Sequence, residues 1–377
     1  MIKVINVVQD FDMGGIQSVL LTLLRAFKDD PDIDFSVVVL ENCRNSEFDK
    51  AAREEGLNIT YLGAYHSKSS HYYIRKIHNF LSYSGKLFFH LLKNHPHVVH
   101  THNTRMIKLI YPCIKRTRKK YIWAHTLHSD PYAVNDAHIP YIKNAVNICG
   151  VHPVCLNKTQ FEKAKERYGL RSCEYIFNMV NLEKFHNANN TKKACRKALG
   201  IPDNAYVIGT VGRMEEVKNY RFLMRVFSVA AKQNEKAMLI FTGDGTEREQ
   251  LEKDAIEYGI ADKVLFLGIR KDTEKIYPAF DVFVSTSITE SSSLVTLEAQ
   301  AAGVTCVVSS ACPKESVISE KVVIMGKDAT EKEWAEKLLA PSGFHKKIMD
   351  EADYKKETVT KSIKELYRKY LLQKGTK

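Results

Sequence analysis

The sequence predicts an α/β protein of two doubly wound, Rossmann-like domains facing a central cleft. Three observations carry this expectation. Short apolar, β-branched runs alternate with helical patterns, the signature of parallel sheets with crossover helices. The alternation stops at a polar stretch, 186–193, and then begins again. A length of 377 residues with 44% hydrophobic and 10% aromatic content suits two cores, at about 150 residues per domain.

In chain order, the first series places strands at 3–8, 35–40, 59–62, 97–101, 121–126 and 153–156. After the first strand, Ile16, Val19, Leu20, Leu23, Leu24 and Phe27 recur as one apolar stripe, so a helix opening at Gly14 and Gly15 packs on the sheet. Two glycines at a strand-to-helix turn let the backbone approach a ligand, and an ordinary turn uses them equally well. The segment 72–91 reads as a further helix, apolar on one side and basic on the other, interrupted at Gly85 and the serines. The second series places strands at 207–211, 238–242, 264–267, 282–285 and 305–309. The domains are therefore expected at 1–185 and 194–355, with a final segment 356–377 containing a Lys-rich amphipathic helix, 358–372. Ligand is expected at the carboxyl ends of the strands.

Composition narrows the function classes. No apolar stretch reaches the roughly 18 residues of a membrane span, and the first residues lack the basic start and cleavage site of a signal peptide. The eight cysteines lie without C-x-x-C pairs or neighbouring histidines at zinc spacing, so they read as free thiols of a reducing cytoplasm. The net charge of +12 is concentrated: residues 66–120 hold twelve Lys or Arg and no acid. A face of this kind suits anionic lipid or nucleic acid, and a solvated helix face explains the same residues.

The chemistry is expected in the second half. Glu290 and Glu298 stand eight apart across a strand, a serine-rich loop and a helix start near Ser293, so they reach different parts of one extended ligand. Ser292, Ser293 and Leu294 lie between them, where uncapped N–H groups can hold a phosphate. Carboxylates accept hydrogen bonds from vicinal hydroxyls, which a sugar and a ribose both present. His100 and His102 lack a third metal ligand at suitable spacing and read as strand-end residues near an acceptor; no metal site is expected. Asp32 and Asp34 read as a polar turn.

With Met13-Gly14-Gly15, Val98 to Asn103, Thr126-Leu127-His128, Ile176-Phe177-Asn178, Gly212-Arg213 with Lys218, and Gly243-Asp244-Gly245, the pattern around Glu290 and Glu298 resembles the retaining glycosyltransferases of family four, of GT-B fold. The resemblance covers nearly the whole chain. Lys314-Glu315 and the run from Glu298 to Gly303 resemble the enzymes of bacterial capsule and exopolysaccharide synthesis.

The resemblance implies a nucleotide diphosphate sugar as donor, with a UDP-sugar favoured, and no other cofactor. Glu290 would bind hydroxyls of the transferred sugar and Glu298 the ribose. Arg213 and Lys218 would neutralise the leaving diphosphate in place of a metal, with Gly15 and Gly243 at the donor. His128 would meet the sugar, with His125 close enough to exchange places with it. The acceptor would be a lipid-linked oligosaccharide at the inner face of the cytoplasmic membrane, where the protein would be peripheral. The final helix would pack back on the first domain. Two departures stand out: Ser291 replaces the usual Gly after Glu290, and Asn178-Met179 replaces Asn-Gly. A sugar-nucleotide 2-epimerase of the same fold is the alternative enzyme. A basic nucleic-acid-binding protein would explain the charge but gives Glu290 and Glu298 no task, and no nucleic-acid motif is present.

Overall fold

The computed structural model describes residues 1–12, 14–65, 71–186 and 191–375. The chain divides into two compact units, one made of 1–180 together with the residues from 352 onward, the other of 181–351.

The first unit holds a parallel sheet of seven strands: β1 (Ile2–Val8), β2 (Ile33–Val39), β3 (Ile59–Tyr61), β4 (Val98–Thr101), β5 (Ile122–Thr126), β6 (His152–Cys155) and β7 (Glu174–Tyr175). Their order is β3-β2-β1-β4-β5-β6-β7, so the winding reverses between β1 and β4. Both faces are covered, and for that reason β4 and β5 are buried at every position, polar residues included. The helix Gly15–Phe27 buries Val19, Leu20, Leu21, Leu23, Leu24 and Phe27, while Ile16 is only half-buried. Each such side chain stabilises by about 1.5–3 kcal/mol, and Phe27 stacks on Phe35 with ring centroids 4.9 Å apart. Strand β7, two residues long, is too short to leave a periodic signal.

The segment 72–91 is not one continuous α-helix. It runs as a helix Tyr72–Asn79, a π-helical stretch Phe80–Gly85 and a helix Lys86–Asn94. The wider π turn lets Ser82, Tyr83 and Ser84, three consecutive residues, all be buried. Each finds a partner there: the Ser82 hydroxyl accepts from the Tyr65 N–H at 2.8 Å, Tyr83 donates to Glu41 at 2.9 Å and the Ser84 hydroxyl accepts from the Cys113 N–H at 2.8 Å.

The helix Lys356–Gly375 packs within this first unit. Val359, Ile363, Leu366, Tyr367 and Tyr370 are its buried stripe, and Lys364 pairs with Asp30 at 2.6 Å and with Asp32 at 3.2 Å. Asp32 thus anchors a helix as well as shaping the turn before β2.

The second unit is a parallel sheet of six strands: β8 (Tyr206–Val211), β9 (Ala237–Thr242), β10 (Val264–Phe266), β11 (Val282–Ser285), β12 (Thr305–Ser309) and β13 (Val322–Met325), in the order β10-β9-β8-β11-β12-β13. The winding reverses between β8 and β11. Strand β13 goes beyond the sequence expectation, because a four-residue apolar run does not by itself distinguish strand from helix. An ion pair fixes the entry to β8. Arg196, 5% exposed, donates to Asp281 at 2.6 Å and to the carbonyls of Ala279 and Asp203. Asp281 also accepts from the Val207 N–H at 2.6 Å and from Lys192. Of the polar stretch 186–193, residues 187–190 lie outside the described residues.

Candidate active site

In the second unit the site is built at the reversal point. The loop after β11 is tied to the loop after β8: the Ile288 N–H donates to Val217 at 2.9 Å, and the Thr286 hydroxyl donates to the carbonyl of Lys218 at 3.0 Å. Asn219, at φ +56°, turns the chain into the helix Tyr220–Gln233. These ties lay Lys218 against Glu290, Nζ to Oε1 2.6 Å, and the Ser287 hydroxyl donates to the same oxygen at 2.8 Å. The pair is only 23% and 11% exposed and stands at the reversal point, where doubly wound sheets commonly bind ligands; chemically, its ammonium can bond an anion and its carboxylate a hydroxyl.

Glu298 sits in the second turn of the helix Leu294–Ala301. Its Oε2 accepts from the Tyr277 hydroxyl at 2.9 Å, and the fully buried Tyr277 ring is held edge-on by Phe185, Phe280 and Phe283. Burial pushes the Glu298 carboxyl above the usual carboxylate range, partly opposed by the Tyr277 hydrogen bond and by Lys184. Between the two acids, the loop already uses some of its own donors. The N–H of Leu294 bonds Ser292, those of Thr296 and Leu297 bond Ser293, and the Ser293 hydroxyl pairs with Thr296 at 2.7 Å.

Arg213 is not joined to Lys218. It pairs with Glu215 at 2.8 Å and is 65% exposed. Gly243 has a structural reason in this unit: at φ +132°, a Cβ there would lie 2.0 Å from the carbonyl oxygen of Gly212, so the chain leaving β9 could not pass the chain leaving β8.

In the first unit, Gly15 opens its helix with nothing within 4 Å of where a Cβ would stand, so packing within the protein does not require it. Met13 lies outside the described residues. His125 is a sheet residue. Its Nδ1 lies 3.1 Å from the Thr101 carbonyl and 2.8 Å from the Thr101 hydroxyl, and Nε2 lies 3.3 Å from the Thr104 hydroxyl, so both nitrogens are occupied. His128 follows β5 and lines a cavity with Asn6, His100, His102, Thr126 and Tyr367. Its Nε2 is 3.1 Å from Nδ1 of His102, whose Nε2 is 2.9 Å from Asn6 Oδ1. His100 stacks on His102 with centroids 4.4 Å apart and bonds Tyr367 at 2.7 Å and Thr126 at 2.8 Å. Burial pushes His100 and His128 down to about 3 and His125 to about 4, which makes this cluster neutral at pH 7. Among the described residues no group of three or more His, Cys, Asp or Glu could hold a metal ion, and all eight cysteines are free.

Asn6, Ser287, Tyr277 and Tyr367 are the residues that sequence reasoning missed. Asn6, Tyr277 and Tyr367 each meet a partner that only the fold brings near, while Ser287 meets Glu290 three residues on.

Comparison with known proteins adds to this geometry. Residues 191–340 match the family Glycosyl transferases group 1. That span is most of the second unit. The chain is 32% identical over 166 residues to the Escherichia coli UDP-Gal:alpha-D-GlcNAc-diphosphoundecaprenol alpha-1,3-galactosyltransferase, covering 43% of each chain. It is 33% identical over 210 residues to the D-inositol 3-phosphate glycosyltransferase of Corynebacterium urealyticum, 50% of this chain and 49% of that one. Of three curated relatives it matches, the chain spans 36%, 51% and 43% of the length. Among solved structures, Anabaena HepE in complex with UDP-glucose superposes with a TM-score of 0.75 at 15% identity, covering 100% of this chain and 99% of that one. Sucrose-phosphate synthase from Thermosynechococcus elongatus gives 0.73 at 16% identity, covering 99% and 100%. The two parallel α/β units are those of the GT-B fold.

Proposed function

We propose that this protein is a retaining glycosyltransferase of family four that moves a hexose or N-acetylhexosamine from a nucleotide diphosphate sugar, UDP-linked, to a lipid-linked glycan in bacterial capsular or exopolysaccharide synthesis. The observation that carries the reading is the half-buried Lys218–Glu290 pair at the β8/β11 reversal point, with Glu298 one helix turn beyond the loop. The cation is assigned to the diphosphate, together with Arg213; Glu290 is assigned to the sugar hydroxyls and Glu298 to the ribose. Gly243, Ser292, Ser293 and Leu294 shape the phosphate loop. In the first unit, His128 is assigned to the sugar and Gly15 to the diphosphate. In the transfer, the bond from the anomeric carbon to the phosphate oxygen breaks, the acceptor oxygen attacks the same face, and its proton passes to the departing phosphate. Fixed positive charge at a leaving group stabilises the transition state by several kcal/mol. A UDP-sugar donor is supported by the UDP-glucose bound to HepE, and a lipid-linked acceptor by the name of the Escherichia coli relative.

A thermal-shift screen against UDP, GDP, UDP-glucose, UDP-galactose, UDP-N-acetylglucosamine and GDP-mannose, without metal and then with magnesium, tests the donor. One nucleotide is expected to raise Tm without metal, and Glu298→Ala to weaken its binding by about 2–4 kcal/mol. No shift with any of them would return the basic stretch to a nucleic-acid reading.

Peripheral attachment to the inner face of the membrane is part of the proposal. No described helix is long and apolar enough to cross a bilayer. Tyr65, Tyr73, Ile74, Ile77, Leu81 and Phe89 are all more than half exposed, on and beside the helices that carry the basic stretch. Large apolar side chains beside Lys and Arg fit the boundary between headgroups and acyl chains. Sedimentation with anionic vesicles is expected, to fall off with salt and with Ile77→Asp/Phe89→Asp; equal recovery with neutral vesicles would remove the electrostatic half of the argument.

A further inference from the structure

Strand β1 and the chain leaving its neighbours β4 and β5 each contribute one group to a single hydrogen-bonded line, and the direction of every proton in it is determined. The line begins at Asn6. Its Nδ2 donates to the Ser36 carbonyl at 3.2 Å, and a carbonyl only accepts, so the amide cannot be reversed without setting oxygen against oxygen. Oδ1 is therefore the atom that faces His102 Nε2 at 2.9 Å. An amide oxygen also only accepts, so His102 Nε2 carries a proton.

His102 is 3% exposed, lies under the stacked ring of His100 and has no carboxylate among its hydrogen-bond partners. It is therefore neutral, since a lone buried imidazolium would be uncompensated, and its Nδ1 is a bare acceptor. His128 Nε2, 3.1 Å away, must then be the donor. A neutral His128 with hydrogen on Nε2 has a lone pair on Nδ1, and among the described residues nothing bonds that atom.

We propose that Asn6 and His102 are positioning residues that hold His128 in the Nε2–H tautomer, so that Nδ1 accepts a hydrogen bond from a hydroxyl of a neutral sugar and rejects a carboxylate-bearing one. The specificity half rests on the assignment of His128 to the transferred sugar; the tautomer half does not. With the sugar's C6 group at Nδ1, the lone pair attracts a C6 hydroxyl and repels a C6 carboxylate, so a hexose is favoured over the hexuronate of the same nucleotide. His100 cannot play this part, because Tyr367 and Thr126 both bear hydroxyls that donate or accept and leave its tautomer unfixed. His125 cannot either, because the Thr101 carbonyl and the Thr104 hydroxyl occupy both of its nitrogens.

The test reads the tautomer directly. Long-range proton–nitrogen correlation spectra of the full-length, histidine-labelled, ligand-free protein at pH 7.5, assigned with His128→Gln, are expected to show a protonated Nε2 and a bare Nδ1 for His128. Asn6→Leu, which removes the acceptor, is expected to give a mixture of tautomers. A protonated Nδ1 on His128 in the unmodified protein overturns the proposal even if Asn6→Leu does not fold; an unchanged tautomer in a folded Asn6→Leu overturns the role of Asn6. In competition binding, UDP-glucose is expected to outbind UDP-glucuronate by about tenfold or more, with the ratio narrowed in Asn6→Leu. Equal affinities overturn the specificity half. Binding of neither sugar nucleotide, with the tautomer as stated, defeats the transferase reading and the specificity half and leaves the positioning of His128 standing.

Discussion

Lys218→Ala is expected to lower kcat/KM for donor consumption by about 10²- to 10³-fold, the cost of removing one preorganised charge from a developing anion. This ammonium is neutralised by Glu290 at 2.6 Å, and both groups are largely withdrawn from water. Under the proposed reading, the diphosphate takes over the cation as the sugar hydroxyls take over the carboxylate, so one pair is exchanged for two. A purely structural ion pair would behave differently. There, the single variant would leave Glu290 with Ser287 as its hydrogen-bond partner among the described residues, and removing both charges would restore what removing one had lost. The double variant Lys218→Ala/Glu290→Ala therefore separates the readings. Recovered thermal stability with activity still at the level of the worse single variant is expected; recovered activity would reduce the pair to a fastening between two loops.

Asp281→Ala is expected to cost about 3–5 kcal/mol of stability, because it strands the guanidinium of Arg196, whose side chain is 6% exposed. The carbonyls of Ala279 and Asp203 would remain as its acceptors, but no charge would oppose it. The Val207 N–H would lose its acceptor at the start of β8 as well. Urea unfolding followed by intrinsic fluorescence measures the loss, and Arg196→Met/Asp281→Leu should lose less than the single variant. If Asp281→Ala unfolds at the unmodified midpoint, the pair does not hold this corner. The contribution depends on pH. Burial raises the Asp281 pKa, but Lys192, the Val207 N–H and Arg196 outweigh it and hold the net value below normal. A depressed carboxylate stabilises fully above its unfolded pKa, about 3.9, and this stabilisation is lost as pH falls through the folded value. The gap between the two proteins should therefore be widest at neutral pH and close below about pH 4.

What could be read from the sequence followed the reach of each signal. Strands β1, β8 and β9 and the stripe from Val19 to Phe27 were legible because both are local patterns of apolar residues. The strand, loop and helix start that carry Glu290 and Glu298 were legible because all three lie within one short stretch. Lys218 could be placed after β8, but not against Glu290, since that contact joins residues 72 positions apart through the loop ties at Val217 and Thr286. Arg213, equally plausible in sequence, turned instead to a neighbour two residues away. The roles of Asn6 and His102 depend on three strands lying side by side, which periodicity within any one of them does not encode. The π-helical stretch at Phe80–Gly85 escaped for the same reason: the inward turn of Ser82 and Ser84 answers to Tyr65 and Cys113, not to their own sequence neighbours.

The helix Lys356–Gly375 belongs to the unit that begins the chain, yet the ribosome makes it only after all of 181–351. Translation thus delivers a finished second sheet while the first still lacks the cover of Val359, Ile363 and Tyr367, and His100 waits for its phenolic partner. The usual order, in which the amino-terminal unit is completed first, is reversed. A chain terminated near residue 351 would leave the first sheet uncovered, and that sheet is the part that chaperones and proteases should engage.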